Sequence, residues 1–149
     1  MRRRVLAVAS GGGHWQQMMM MRPAFDGHEV TYVTTMEGLP EQFGATPAHI
    51  VPDCNRHEWL STLRCMVALS TLILRKRPHV VMSTGALPGV IALTLGKMVR
   101  ARTIWVDSMA NAERMSSSGK MARHVADLWL SQWEHVAEET GAGYAGSVI

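Results

Sequence analysis

Apolar positions along this chain fall into short continuous runs alternating with longer segments of helical spacing. The first run, Val5-Leu6-Ala7-Val8-Ala9, predicts a strand ending at Ser10-Gly11-Gly12-Gly13-His14, and a helix begins at about His14 and runs to Met21, halted near Pro23. Glu29 to Thr34 alternates as a second strand. A loop holding Gly38, Pro40, Gly44 and Pro47 then leads to a short strand near His49-Ile50-Val51. A long helical segment follows from about Glu58 to Lys76, ended before Pro78. His79 to Ser83 is the fourth strand, a helix is expected from about Val90 to Val99, and Thr103 to Asp107 is the fifth strand. Beyond it, a polar loop containing Ser116-Ser117-Ser118-Gly119-Lys120 precedes another helix, and Asp127 to Leu130 reads as a sixth strand.

Strands alternating with helices imply right-handed crossovers and a parallel sheet with helices on both faces, a Rossmann-like α/β fold. Ligands of such sheets sit beyond the carboxyl ends of the strands. Three loops leave that edge, Gly11–His14, Thr84–Gly89 and Asp107–Lys120, and they can converge on one cleft. The first has the form strand, glycine turn, helix. Its glycines permit close approach of backbone to ligand, and the helix start offers unpaired N–H groups to an anion.

Composition narrows the picture. A chain of 149 residues is expected to form one domain over 1–149, and 47% hydrophobic content supports a sizeable core. Charged residues are only 18%, below the roughly 25% usual for soluble proteins, so part of the surface is expected to be covered. The net charge of +3 comes with clusters at Arg2-Arg3-Arg4, Arg75-Lys76-Arg77 and Lys97, Arg100, Arg102, which suit phosphates or an anionic membrane face as well as a plain solvated surface. Cys54 and Cys65 form no metal-ligand pattern, and a reducing cytoplasmic setting is the simpler expectation. The five apolar residues before the glycines are too few for an export signal.

The usual nucleotide signatures fail. A dinucleotide fingerprint needs a glycine where Gln16 stands, and a P-loop needs a hydroxyl residue where Met121 follows Lys120. Ser116 to Lys120 is either a flexible polar loop or an anion site. His135 with Glu138 and Glu139 has helical spacing but no matching second cluster, so no metal is expected, nor any cofactor or nucleic-acid partner. His14 is either a hydrogen-bonding residue of the turn or a catalytic group able to take a proton from a hydroxyl. Met18 to Met21 cannot all face a core, and Trp59 to Leu74 is apolar almost all round yet broken too often to span a bilayer; it reads as a buried or interface helix, with membrane contact as the second reading.

Taken in order, Ser10 to His14, Arg77 to Gly85, Trp105 to Ser108, Ser118-Gly119-Lys120, Ala126-Asp127 and Gln132-Trp133 resemble the PssD-like polysaccharide biosynthesis proteins. That family is similar to the membrane-anchor subunit of the eukaryotic two-chain N-acetylglucosaminyltransferase of dolichol-linked oligosaccharide synthesis. The resemblance implies the amino-terminal, acceptor-side half of a GT-B glycosyltransferase. A separate carboxyl-terminal-type subunit would hold most of the UDP-sugar site, the two halves being joined in MurG-type enzymes. It further implies a polyprenyl diphosphate-linked saccharide acceptor, exopolysaccharide or capsule synthesis, and peripheral attachment to the inner face of the cell membrane, since no spanning segment is expected ahead of the first strand. On this view His14 is the general base, and Gly11, Gly12, Gly13, Thr84, Gly85, Asp107, Ser108, Glu113, Ser118, Gly119 and Lys120 contact substrate. Two other readings stand beside it: a non-catalytic scaffold that only recruits its partner, and a stand-alone nucleotide-binding domain, which the failed fingerprints disfavour.

Overall fold

The computed structural model describes residues 1–148. In chain order the elements are β1 (Arg4–Val8), α1 (Gly13–Met20), a 3-10 turn over Arg22–Phe25, β2 (Glu29–Thr34), α2 (Leu39–Gln42), β3 (Ala48–Ile50) and α3 (Trp59–Lys76). They continue as β4 (Val80–Ser83), α4 (Ala86–Met98), β5 (Arg102–Val106), α5 (Ser117–Ala122), β6 (Leu128–Ser131), α6 (Glu134–Thr140) and β7 (Gly143–Tyr144). The strands form one parallel sheet in the order β3-β2-β1-β4-β5-β6-β7. This is the Rossmann-like arrangement that the alternation of runs predicts. Its order reverses between β1 and β4, where Val8 lies opposite Ser83.

Because side chains alternate across a strand, β1 sends Leu6 and Val8 to one face and Val5 and Ala7 to the other. The first face packs on Cys65, Leu69 and Ile73 of α3, Leu93 of α4 and Ala122 of α5. The second packs on Trp15 and Met18 of α1 and on Phe25. Helix cover on this second face is incomplete. Val80, Ile104, Leu128 and Leu130 line an open apolar groove of about 310 Å³ beside Met21 and Phe25. Topology explains the gap: right-handed crossovers put the helices linking β3 through β6 on the first face, leaving only the β1–β2 and β2–β3 connections, with α1 and α2, over the β1–β2 side of the second.

Two expectations shift. Helix α4 begins at Ala86 rather than near Val90, because Pro88 falls in its first turn, where a missing N–H costs nothing. Gly89 then lets α4 lie close on the sheet; a Cβ there would meet the Ser83 hydroxyl and approach Trp105 Cζ3 to 3.2 Å. The stretch read as the Ser116–Lys120 loop is helical from Ser117, with Ser116 as its cap: the Ser116 hydroxyl accepts from Gly119 N at 2.8 Å.

Candidate functional site at the carboxyl edge

The loops after β1 and β4 leave neighbouring strands at the point of reversal, and each opens directly into a helix. Gly12 supplies the left-handed turn, φ 70°, that starts α1. Neither α1 nor α4 has an acidic residue in its first turn, so the positive ends of both dipoles face this edge without internal compensation. Thr84 ties the loops together, its hydroxyl donating to the His14 carbonyl at 2.7 Å.

The His14 ring packs against Gly85. A Cβ on Gly85 would run into the imidazole at Cδ2 and Nε2, so the residue type there is fixed by ring packing. The ring is half-buried, and Nδ1 is 2.8 Å from Ser10 Oγ. Burial pushes the His14 pKa below its ordinary value, the Asp107 carboxylate pulling partly back. The imidazole is therefore neutral at pH 7. In the tautomer whose Nδ1–H donates to Ser10 Oγ, Nε2 keeps its lone pair and, among the described residues, has no protein partner. Such a nitrogen can accept a proton.

Asp107 has a different part. It is 2% exposed and both carboxylate oxygens are occupied: Trp105 Nε1 (3.0 Å) and Ser116 Oγ (2.6 Å) donate to Oδ1, Ser116 N (3.0 Å) and Asn111 Nδ2 (3.3 Å) to Oδ2. Its carbonyl accepts from the buried amides of Gln17 and Gln132. Asp107 thus folds the third loop and holds it to α1, with both carboxylate oxygens committed to protein donors. Gly119 packs into the same brace: it is buried, its N–H is taken by Ser116, and a Cβ would approach Asp107 Oδ1 to 2.6 Å. Ser108 is half-buried and accepts from Ala110 N, Glu113 and Lys120 are exposed, and Ser118 is half-buried in α5. The structure thus joins Gly11–His14 to Thr84 and Gly85 directly, and to the third loop through Gln17.

Two residues of this edge have roles that the sequence does not assign. Ser10 appears there only as part of the glycine turn and Gln17 in no motif, although a hydroxyl four residues before a histidine across a helix start is a detectable pairing. Cys54 and Cys65 are buried elsewhere, and burial pushes the Cys65 thiol up to about 12. Among the described residues, no cluster of His, Cys, Asp and Glu could hold a metal ion, and no helix is long and apolar enough to cross a membrane.

The family model for "Oligosaccharide biosynthesis protein Alg14 like" matches residues 48–148. The chain belongs to the Alg14-like family. Among its relatives, the mouse (Mus musculus) UDP-N-acetylglucosamine transferase subunit ALG14 is 34% identical over 107 residues, covering 63% of this chain and 48% of that protein. The Eremothecium gossypii subunit of the same name is 31% identical over 90 residues, covering 52% and 40%. This Alg14-like chain therefore spans half or less of the length of these relatives. In fold it is similar to Acinetobacter baumannii MurG (TM-score 0.74, 12% identity, 99% of this chain and 44% of that one). It is also similar to a putative UDP-N-acetylglucosamine 2-epimerase of Listeria monocytogenes (TM-score 0.72, 14% identity, 93% and 41%). At these identities the likeness concerns the fold alone.

Proposed function

We propose that this Alg14-like chain is the acceptor-side subunit of a two-chain GT-B glycosyltransferase, moving a sugar from a UDP-sugar to a lipid diphosphate-linked saccharide. The observation that carries the reading is His14: a neutral imidazole between two helix N-termini, one nitrogen held by Ser10 and the other, among the described residues, without a hydrogen-bond partner. The acceptor's diphosphate lies on Gly11, Gly12 and Gly13 at the start of α1 and beside Thr84 and Gly85. Ser108 and Glu113 from the third loop, and Ser118 and Lys120 from α5, contact its saccharide. Its hydroxyl oxygen attacks the anomeric carbon as the bond to UDP breaks, the electron pair leaving with UDP and the proton going to His14 Nε2, with inversion. The relatives' printed names make UDP-N-acetylglucosamine the donor to try first.

The second chain encloses most of the donor and stabilises the departing UDP. The open groove of Val80, Ile104, Leu128 and Leu130 supports such a partner, since an uncovered apolar sheet face suits burial by another chain. Exopolysaccharide or capsule assembly at the inner face of the cell membrane is the proposed setting. Reconstitution with a carboxyl-terminal-type partner tests the assignment. His14→Ala and His14→Gln are expected to lower turnover by roughly two to four orders of magnitude with assembly intact. Near wild-type turnover in an assembled His14→Gln pair removes the base role and leaves a recruiting scaffold.

A further inference from the structure

Charge in this chain is segregated in a way its net value conceals. The segment 59–106 contains seven basic residues and no acidic one, while the remainder, with eight basic and twelve acidic, is net negative. That segment comprises α3, β4, α4 and β5, so the uncompensated positive charge collects on α3 and α4 and in the loops that lead from them into β4 and β5.

The outward side of that layer is apolar. Trp59 (75% exposed), Leu63, Met66, Val67 (59%) and Leu74 (64%) recur at helical spacing along α3, opposite Cys65, Leu69 and Ile73 in the core. Arg64 and Arg75 flank the stripe. At its end Leu74 also lines a cavity of about 720 Å³ into which Arg3, Arg4, Arg77, Arg100 and Arg102 converge. Arg77 and Arg100 hold left-handed backbone, φ 46° and 63°, beyond the last turns of α3 and α4, where glycine is the usual occupant. Arg4 caps α3, its Nε donating to the Lys76 and Arg77 carbonyls. The only ion pair among the described residues is Lys97 with Asp127, so no carboxylate neutralises these five arginines.

We propose that the α3 face rests on an anionic phospholipid bilayer, the Trp59–Leu74 stripe entering it and the arginine cavity receiving a lipid phosphate. Apart from Glu58 at the start of α3, this apolar surface is rimmed by cations, which is complementary to anionic headgroups over acyl chains. Helix α3 runs from the carboxyl edge of the sheet to its amino edge, so a bilayer along it also passes beside the edge where His14 lies. The inference rests on the lipid-linked acceptor of the proposed function, and identifies the surface that brings the chain to it.

The purified chain is mixed with vesicles of phosphatidylcholine alone or with phosphatidylglycerol admixed, and binding is read by sedimentation and by the blue shift of Trp59, isolated by difference from Trp59→Phe. Expected are binding to the anionic vesicles only, a Trp59 blue shift, release by salt, and loss of binding in Val67→Glu. Arg77→Gly and Arg100→Gly keep the left-handed backbone, so folding is retained, and each weakens binding roughly fivefold. Equal binding to neutral vesicles, indifference to these variants, binding of inorganic phosphate without vesicles, or a dimer that Val67→Glu dissolves would each overturn the proposal. Sugar transfer is not read in this assay, so its failure and that of the transferase reading are separate.

Discussion

Replacing Asp107 by asparagine isolates the bracing role from a substrate role. Four protein donors converge on the carboxylate, two on each oxygen. An amide keeps one acceptor oxygen and replaces the other by an NH2, which can only donate. If its NH2 occupies the Oδ1 side, the Ser116 hydroxyl can turn to accept from it, but Trp105 Nε1–H is left without an acceptor. On the Oδ2 side, Asn111 can flip, but Ser116 N–H is left. Either orientation strands one buried donor, at about 1–3 kcal/mol, and the surviving bonds lose their charge assistance at about 1 kcal/mol each. A loss of about 3–5 kcal/mol follows, or roughly 10 °C or more in Tm for a chain of this size. Urea unfolding of the purified chain measures it. Trp105→Phe removes the most exacting donor, so the double variant is expected to be less destabilised than the sum by about 1–2 kcal/mol. An Asp107→Asn protein within about 0.5 kcal/mol of wild type that has nevertheless lost transfer in the reconstituted pair would refute the reasoning and return Asp107 to the substrate.

Gly89→Ala should cost about 1–3 kcal/mol in urea unfolding, because its Cβ meets Ser83 and Trp105, whereas Gly13→Ala, with open space around its Cβ, should be neutral or slightly stabilising. The lowered His14 pKa means the fold favours the neutral ring. Its stabilising contribution is therefore complete above the unfolded-state value of 6.5 and is lost as pH falls below it; His14→Gln should flatten that part of the stability–pH curve. Leu128→Arg, at a residue 46% exposed beside the open groove, should leave Tm nearly unchanged and abolish co-purification with the partner.

Most of the sheet is legible in the sequence because each central strand is an uninterrupted apolar run closed by polar or glycine residues, as in Val5–Ser10 and His79–Ser83. Element ends are less legible. Pro88-Gly89 signals a break, and only the tertiary placement of Pro88 in a first turn lets α4 start before it. The two residues of β7 have no pattern of their own and pair because β6 presents an edge. At the site, the glycine turn and His14 announce themselves by residue type. Asp107, by residue type and place at a strand end, reads as a substrate contact, and only Trp105, Asn111 and Ser116, brought in by folding, show its oxygens occupied.

The place of β1 in the sheet has a consequence for synthesis. It precedes the other six strands of the sheet in the chain, yet it lies between β2 and β4, and its β4 side stays unpaired until Val80 to Ser83 arrive. At ~5–20 residues per second, more than seventy intervening residues take roughly 4–15 s. For that interval Val5 to Ala9 is an apolar edge able to pair with another nascent copy. Arg2-Arg3-Arg4 stands immediately ahead of it. Like charge at the head of each exposed strand disfavours in-register pairing between copies, so the triplet acts as a gatekeeper against aggregation before the sheet is complete.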